Sequence, residues 1–368
     1  MPDLFGSPFN ADRHARSGRL DRTGREEAGI GKTGEGSGMK TATAQFDLFD
    51  EAPGYRQAPR PSARKRKPLA VPDHEIWDAE AEAHRLEESG DYKVLRRLVP
   101  RPVISRTDST YPHLAVVVDT ETTGLQHTKD EVIEIGAVAF TYNNEGAVGD
   151  VVGVYSGLRQ ASIPIPPEIT RLTGITEEMV AGQEIDIAAL DALIEPADLV
   201  IAHNAEFDRP FCEKLSPSFV PKAWACSVSE IRWADLGFEG NKLGYLVGQS
   251  GLFHEGHRAT DDCHALLEVL SRPREEGGPP PFTELLRSSA RSRVRIFAEN
   301  APFDMKDHLK ARGYRWSDGS DGRPKAWWIE VDEELSGEEL RYLRADIYRW
   351  DEAEPLNLFL TAQDRFRA

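Results

Sequence analysis

The sequence predicts an α/β fold in which a mixed central sheet is flanked by helices. Two apolar runs rich in β-branched residues, 114–118 and 132–140, are separated by a polar turn. Runs of this length and composition favour buried strands, and these two predict an antiparallel pair. Helical spacing of apolar residues follows further along the chain, as in Phe207, Phe211 and Leu215. The strand pair is therefore expected to form the centre on which helices pack.

The other elements follow from the same patterns. Further strands are predicted at 151–158 and 198–202, and further helices at 188–194, 243–252 and 259–270. A helical lead-in is predicted over 73–98, because apolar residues recur there at helical spacing until Pro100.

Composition divides the chain into five predicted parts. Residues 1–73 are rich in Gly, Pro, Arg, Asp and Ala with little apolar periodicity, which predicts a disordered tail. The other parts are a helical lead-in, the α/β domain, a linker with a short helix, and a small α+β module, at 74–110, 111–270, 271–292 and 293–368.

The charge balance restricts the classes of partner. A formal net charge of −17 over 368 residues argues against a protein that coats nucleic acid, which would usually be basic. Cys212, Cys226 and Cys263 lack paired spacing, so neither a zinc site nor a disulfide framework is predicted. No apolar run approaches membrane-spanning length, and the N-terminus lacks the apolar core of a signal peptide. A cytoplasmic location is expected.

Two carboxylates end the first predicted strand. Asp119 and Glu121 are two residues apart, so in a strand they project from the same face. Like charges held this close remain ionised only when a cation lies between them. Oxygen ligands of this kind suit Mg²⁺ or Mn²⁺. A divalent metal site is therefore predicted on the central strand.

Further acidic residues and a histidine recur near predicted helix starts, namely Asp208, His257 and Asp262. With Asp119 and Glu121 they supply four carboxylates, enough for two ions that stabilise the attacking and leaving oxygens of a phosphodiester. His257 suits the general base that activates water near neutral pH. A helix cap or a phosphate contact is the alternative role for His257.

Three motifs carry a resemblance to a known family. The segments VVVDTETTGL, HNAEFD and HRATDD resemble the three motifs of the DEDDh 3′–5′ exonucleases, which include the proofreading epsilon subunit of bacterial DNA polymerase III and its stand-alone homologues. The resemblance implies a ribonuclease-H-like exonuclease domain across 111–270. It also implies two Mg²⁺ or Mn²⁺ ions held by the four carboxylates, with His257 as base.

The same resemblance implies how substrate binds and what it is. Thr122, Thr123, Gly124 and Leu125 match the loop that holds the 3′-terminal nucleotide, whereas Phe207 is expected to pack in the core. The expected substrate is a DNA 3′ end, from which nucleoside 5′-monophosphates would be released. An exoribonuclease acting on RNA, and a non-catalytic adaptor for a clamp or polymerase, are the alternatives.

A short apolar motif stands in the predicted disordered tail. Gln45, Leu48 and Phe49 resemble the motif with which bacterial replication proteins dock into the sliding clamp. Leu48 and Phe49 would fill an apolar pocket, and Gln45 would make polar contacts at its rim. A sliding clamp is therefore an expected partner, with a chance match of five residues as the alternative. A DNA polymerase is the further partner that the resemblance to the epsilon subunit implies.

The C-terminal module is rich in tryptophan and arginine. Its predicted hairpin contains Trp316, Trp327 and Trp328 together with Arg315 and Arg323. These residues form either a small core or a stacking surface for nucleic acid.

Overall fold

The first predicted strand is the middle strand of the main sheet. A computed structural model describes residues 78–105, 110–273, 277–320 and 322–367. The predicted tail, including the motif at 45–49, lies outside these residues. The strands within them are β1 (Arg96–Arg97), β2 (His113–Thr122), β3 (Val132–Tyr142), β4 (Val148–Leu158), β5 (Leu199–Ala202), β6 (Ala223–Cys226), β7 (Leu252–Phe253), β8 (Arg293–Ala298), β9 (Arg315–Trp316), β10 (Trp327–Asp332) and β11 (Leu356–Leu360).

The main sheet has the order β4-β3-β2-β5-β6. The pairs β2–β3 and β3–β4 are antiparallel, whereas β2–β5 and β5–β6 are parallel. The predicted fold class, a mixed central sheet flanked by helices, is confirmed. Strand β6 was not predicted, because none of its four residues is β-branched, whereas β5, of the same length, contains Val200 and Ile201.

Helices cover the sheet and connect its strands. They are α1 (Ala79–Glu88), α2 (Pro167–Thr173), α3 (Glu177–Val180), α4 (Ile187–Ile194), α5 (Ala205–Leu215), α6 (Ser227–Glu230), α7 (Leu243–Gln249), α8 (Ala259–Ser271), α9 (Pro281–Ser289), α10 (Lys306–Ala311) and α11 (Glu333–Tyr342). None of the helices in the described ranges combines the length and apolarity needed to cross a membrane.

The two faces of β2 bury different sides of the core. Val117 packs with residues of α8, including Cys263 and Leu266. Val116 and Val118 face the other way and pack with Phe211 of α5. Because side chains alternate along a strand, Asp119 and Glu121 share the α8 side with Val117, and Thr120 shares the α5 side. The polar residues at the end of β2 therefore face two different helices, α8 on one side of the sheet and α5 on the other.

The lead-in is not one helix. Helix α1 ends at Glu88, and Gly90 then adopts φ +79°, a left-handed conformation that glycine reaches without steric cost. Residues 96–97 form the short strand β1, which pairs in parallel with β7. The predicted continuation of the helix to residue 98 is therefore wrong. The prediction of a helix over 243–252 is also too long, because α7 ends at Gln249 and β7 begins at Leu252.

The C-terminal part forms a second sheet of order β11-β8-β10-β9, with α10 and α11 packed on one face. The hairpin β9–β10 is antiparallel, as predicted. Trp328 is buried beneath the guanidinium groups of Arg295, Arg315 and Arg323, whereas Trp316 is 41% exposed. One tryptophan thus builds core and another faces solvent, so both alternatives for the hairpin stay open.

The last described residues return to the main sheet. The backbone N–H of Trp224 in β6 donates to the carbonyl of Ala362 at 2.9 Å. The guanidinium of Arg365, fully buried, donates to Glu230 at 2.7 Å and to the carbonyl of Ser289 at 2.6 Å. A buried ion pair of this kind is costly to break, because either partner alone would be left buried with an uncompensated charge. The C-terminal segment is therefore anchored on the main sheet.

Candidate functional site

Strand β2 presents two carboxylates to the start of α8. Asp119 and Glu121 lie on the face of β2 that packs against α8, and Asp262 lies in the first turn of that helix. One carboxylate oxygen from each of these three residues lies within 4.8 Å of the others. The sheet and one helix therefore bring together three of the four predicted acidic ligands.

A glycine in the neighbouring strand permits this approach. Gly136 of β3 is directly opposite Asp119, and a Cβ placed on it would lie 2.4 Å from the carbonyl carbon of Ala259. No side chain fits there, so the first turn of α8 rests on the backbone of β3. The signal was present in the sequence, since a glycine within a strand pattern often marks close backbone approach.

Asp208 is held on the opposite side of β2. The backbone N–H and the hydroxyl of Thr120 both donate to Oδ1 of Asp208, at 3.1 and 2.8 Å. Asp208 is buried in α5 and lies outside the set of three oxygens that approach within 4.8 Å. It still lies near enough for its charge to raise the pKa of Asp119. The fourth predicted ligand is thus fixed by Thr120, a residue not singled out from the sequence.

The electrostatics of the cluster disfavour charge. Burial first, and then the charges of Asp208, Asp262 and Glu121, hold the pKa of Asp119 well above its usual range. Burial and the charge of Asp262 raise the pKa of Glu121 to about 8. Burial raises the pKa of Asp208 to about 7, although its hydrogen bonds with Thr120 act in the opposite direction. A cation between the carboxylates would remove this repulsion, and hard oxygen donors fit Mg²⁺ or Mn²⁺.

An ion pair between β3 and the residue before α8 lies beside the carboxylate cluster. It was not predicted from the sequence. Glu134 of β3 is opposite Glu121 and is almost fully buried. Its carboxylate accepts from Nη2 of Arg258 at 2.7 Å and from the backbone N–H of Ala259 at 3.0 Å. The pair anchors the N-terminal end of α8 to the sheet. A glutamate inside an otherwise apolar strand pattern was the available signal.

The predicted base lies in the loop before α8. His257 is exposed and adopts φ +66°, which is uncommon for a residue other than glycine. Its backbone N–H donates to Oδ2 of Asp262 at 2.7 Å. The left-handed backbone is thus compensated by a bond to a predicted ligand, and the imidazole stays open to solvent.

The predicted nucleotide-binding loop follows β2. Thr122 and Thr123 are buried, and the hydroxyl of Thr122 donates to the carbonyl of Gly124 at 2.6 Å. A Cβ on Gly124 would lie 2.6 Å from the carboxylate of Asp130, so a larger residue would push that side chain away from the backbone N–H of Gln126, from which it accepts a hydrogen bond at 2.8 Å. Leu125 is 36% exposed, in keeping with a side chain available to a ligand.

Four further side chains of the matched motifs and their helices are packed or hydrogen-bonded within the protein. His203 is hydrogen-bonded to Ser227 at 2.8 Å, and burial lowers its pKa to about 4. Phe207 packs on Phe211 with ring centroids 5.1 Å apart, as expected for a core residue. Cys212 and Cys263 are fully buried. The predicted partner-binding residues lie outside the described residues; they are Gln45, Leu48 and Phe49.

Comparison with known proteins gives the family. A family model described as "Exonuclease" matches residues 116–270. The DNA polymerase III subunit epsilon of Treponema pallidum is 30% identical over 176 residues, which cover 44% of this chain and 78% of that protein. The DNA polymerase III PolC-type of Clostridium perfringens is 29% identical over 249 residues, which cover 64% of this chain but only 16% of that much longer protein.

A solved structure of Exonuclease X in complex with 5′ overhanging duplex DNA is 25% identical and has a TM-score of 0.33, covering 47% of this chain and 90% of that one. The matched family segment contains all five residues of the predicted catalytic set, from Asp119 to Asp262. The chain therefore belongs to the exonuclease family that includes the epsilon subunit of DNA polymerase III.

Proposed function

We propose that this protein is a metal-dependent 3′–5′ exonuclease that hydrolyses the terminal phosphodiester of DNA and releases nucleoside 5′-monophosphates. The observation that carries the proposal is the approach of three carboxylate oxygens within 4.8 Å, contributed by β2 and α8. DNA is favoured over RNA because the relatives are named as parts of DNA polymerase III. Proofreading or repair of 3′ ends is the corresponding role.

Each residue of the site has a proposed task. The four acidic residues would hold two Mg²⁺ or Mn²⁺ ions, and bound ions supply positive charge to the attacking and leaving oxygens. His257 is exposed, and its backbone is hydrogen-bonded to Asp262. Its imidazole would take the proton of the attacking water. The loop from Thr122 to Leu125 would hold the 3′-terminal nucleotide. The ion pair between buried Glu134 and partly exposed Arg258 would keep the start of α8 in place against β3.

Nuclease assays test the proposal directly. Matched single-stranded DNA, single-stranded RNA and a mismatched primer-template would be incubated with Mg²⁺, with Asp119→Asn as the inactive control. We expect mononucleotides from the 3′ end of DNA and none from the control. Degradation of RNA alone would support the exoribonuclease alternative. No degradation of any substrate would favour the non-catalytic adaptor.

We also propose docking of the N-terminal motif on a sliding clamp. Leu48 and Phe49 are large apolar groups in a tail with little apolar periodicity, and Gln45 precedes them. Binding of such a peptide should be weak, about micromolar, because ordering a free peptide on a surface consumes part of the contact energy. Calorimetry of a 40–55 peptide with purified clamp tests this, with the Leu48→Ala/Phe49→Ala peptide as control. Equal binding by both peptides would leave the motif a chance match.

The predicted division of the chain is likewise a proposal. Residues 111–270 would carry catalysis, 74–110 would support the catalytic loop, and 293–368 would form an accessory module joined through 271–292. The contact of Trp224 with Ala362 supports a fixed attachment of that module.

A further inference from the structure

The loop from His254 to Arg258 converges on one carboxylate. Nε2 of His254 lies 2.8 Å from Oδ1 of Asp262. The backbone N–H groups of His257 and Arg258 donate to the other oxygen, Oδ2, at 2.7 and 3.1 Å. Both oxygens of Asp262 are therefore held, each by a different part of the same loop. The backbone bonds alone would fix one oxygen and leave the tilt of the carboxylate plane unconstrained.

His254 differs from His257 in its surroundings. The side chain of His254 is only 9% exposed and that of Asp262 is 13% exposed, so their bond is largely shielded from water. A carboxylate that binds a cation can only accept hydrogen bonds, so the tautomer that suits this contact carries its hydrogen on Nε2 of His254. Partners of this kind orient the groups that bind metals, and their loss typically costs 10- to 100-fold in metal affinity or activity.

The position of His254 is itself set by the lead-in. Its neighbour Phe253 belongs to β7, and the carbonyl of Phe253 accepts the backbone N–H of Leu98 at 2.8 Å. The guanidinium of Arg97 lies 5.3 Å from the centroid of the Phe253 ring, and Arg97 also pairs with Glu255 at 3.3 Å. Both flanks of His254 are thus attached to a segment that precedes the matched family region at 116–270.

We propose that His254 is a positioning residue that fixes the carboxylate of Asp262 for ion binding, and that residues 96–98 hold His254 in place. The inference rests on the proposed function, because that function makes Asp262 an ion ligand. His254 lies outside the set of three residues whose oxygens approach within 4.8 Å, so it would act on the ion through Asp262. Removing its hydrogen bond should loosen the ligand without removing it.

The main test measures Mn²⁺ affinity by calorimetry, independently of catalysis. His254→Ala should weaken Mn²⁺ binding about 10- to 100-fold and lower kcat on a single-stranded DNA oligonucleotide, with KM unchanged. His254→Gln places an amide N–H at a similar reach and should restore most of both. His113→Ala is the matched control, because His113 also makes a 2.7 Å side-chain bond, to Asn144, at the far end of β2. That variant should match the wild type.

The outcomes separate the inference from the function beneath it. A wild-type protein that neither binds Mn²⁺ nor cleaves DNA would overturn the proposed function. An active wild type with unchanged Mn²⁺ affinity in His254→Ala would overturn the positioning role alone. Equal losses in His254→Ala and His254→Gln, with a lower unfolding temperature in both, would make His254 a purely structural residue and also overturn it.

A second pair of variants tests the lead-in. Leu98→Pro removes the N–H that bonds Phe253, whereas Leu98→Ala keeps it and shortens the same side chain. Mn²⁺ affinity should fall in Leu98→Pro relative to Leu98→Ala, by less than in His254→Ala. Equal affinities in the two Leu98 variants would overturn the role of residues 96–98.

Discussion

The two halves of the candidate site are built in different ways. Asp119, Glu121 and Asp208 lie on a regular strand and a regular helix, where sheet register and core packing set their directions. His254 and His257 lie in an irregular loop, where hydrogen bonds to Asp262 set the conformation. The first group, here called the strand half, tolerates electrostatic repulsion because β2 is hydrogen-bonded to a strand on each side. The second group, here called the loop half, follows the two-residue strand β7 and depends on a few polar contacts.

This difference predicts different consequences of mutation. Replacing an acidic residue of the strand half by its amide should remove a charge and leave the fold intact. In the absence of metal, it should leave the folded state as stable or more stable. A change in the loop half should alter geometry, with graded effects on rate and ion affinity. The experiments that follow run from the largest expected effect to the smallest.

Asp119→Asn should abolish 3′-end degradation, because it removes a central ligand, and EDTA should do the same to the wild type. Its unfolding temperature in EDTA should not fall, because asparagine replaces an ionisable group whose burial and acidic neighbours hold its pKa well above the usual range. Gel assays and thermal melting measure the two effects. Asp261→Asn, at the exposed neighbour of Asp262, is the control and should stay active. Degradation by Asp119→Asn at the wild-type rate would contradict the assignment of Asp119 as a metal ligand.

His257→Ala should lower kcat by about 10²- to 10⁴-fold, the usual contribution of a general base. Mn²⁺ affinity should be retained, because only the backbone N–H of His257 bonds Asp262 and alanine keeps it. Single-turnover kinetics with parallel calorimetry measure both. If affinity collapses along with activity, His257 is a ligand or a determinant of the loop fold.

Metal-free stability should decline as pH rises. The pKa values of Glu121 and Asp208 in the folded state, about 8 and about 7, lie above their ordinary values of 4.5 and 3.8. The folded state therefore holds protons more tightly than the unfolded state. Stability from these groups is complete below about pH 4 and is lost as pH rises through 7 to 8.

Thermal melting between pH 5 and 9 checks this decline, once with EDTA and once with Mg²⁺. Mg²⁺ should flatten the profile, because a bound cation stabilises the ionised carboxylates. Glu121→Gln should flatten the profile in EDTA, because glutamine removes one of the two groups whose raised pKa causes the decline. An identical slope in all three samples would place the pH dependence elsewhere in the protein.

Much of the strand half was readable from the sequence. Asp119 and Glu121 were placed on one face because alternation in a strand is local geometry, fixed by the backbone. The antiparallel partner of β2 followed from a second apolar run, and the three motifs indicated the family. Such signals are available because each depends on residues close together in the chain.

The loop half was decided by tertiary contacts. No local pattern shows that Phe253 pairs with a strand formed by residues 96–97, or that Gly136 lets α8 rest on β3. The helix predicted through residue 98 failed because pairing with β7 outweighed a helical spacing of apolar residues. His254 meets Asp262 only after α8 and β7 have packed. The sequence by itself determined the fold class, the family and the acidic residues on β2. Only the folded structure decided where the loop that holds Asp262 lies, because Arg97 pairs with Glu255 of that loop across 158 residues of chain. The strength of the bond between His254 and Asp262 in turn depends on burial.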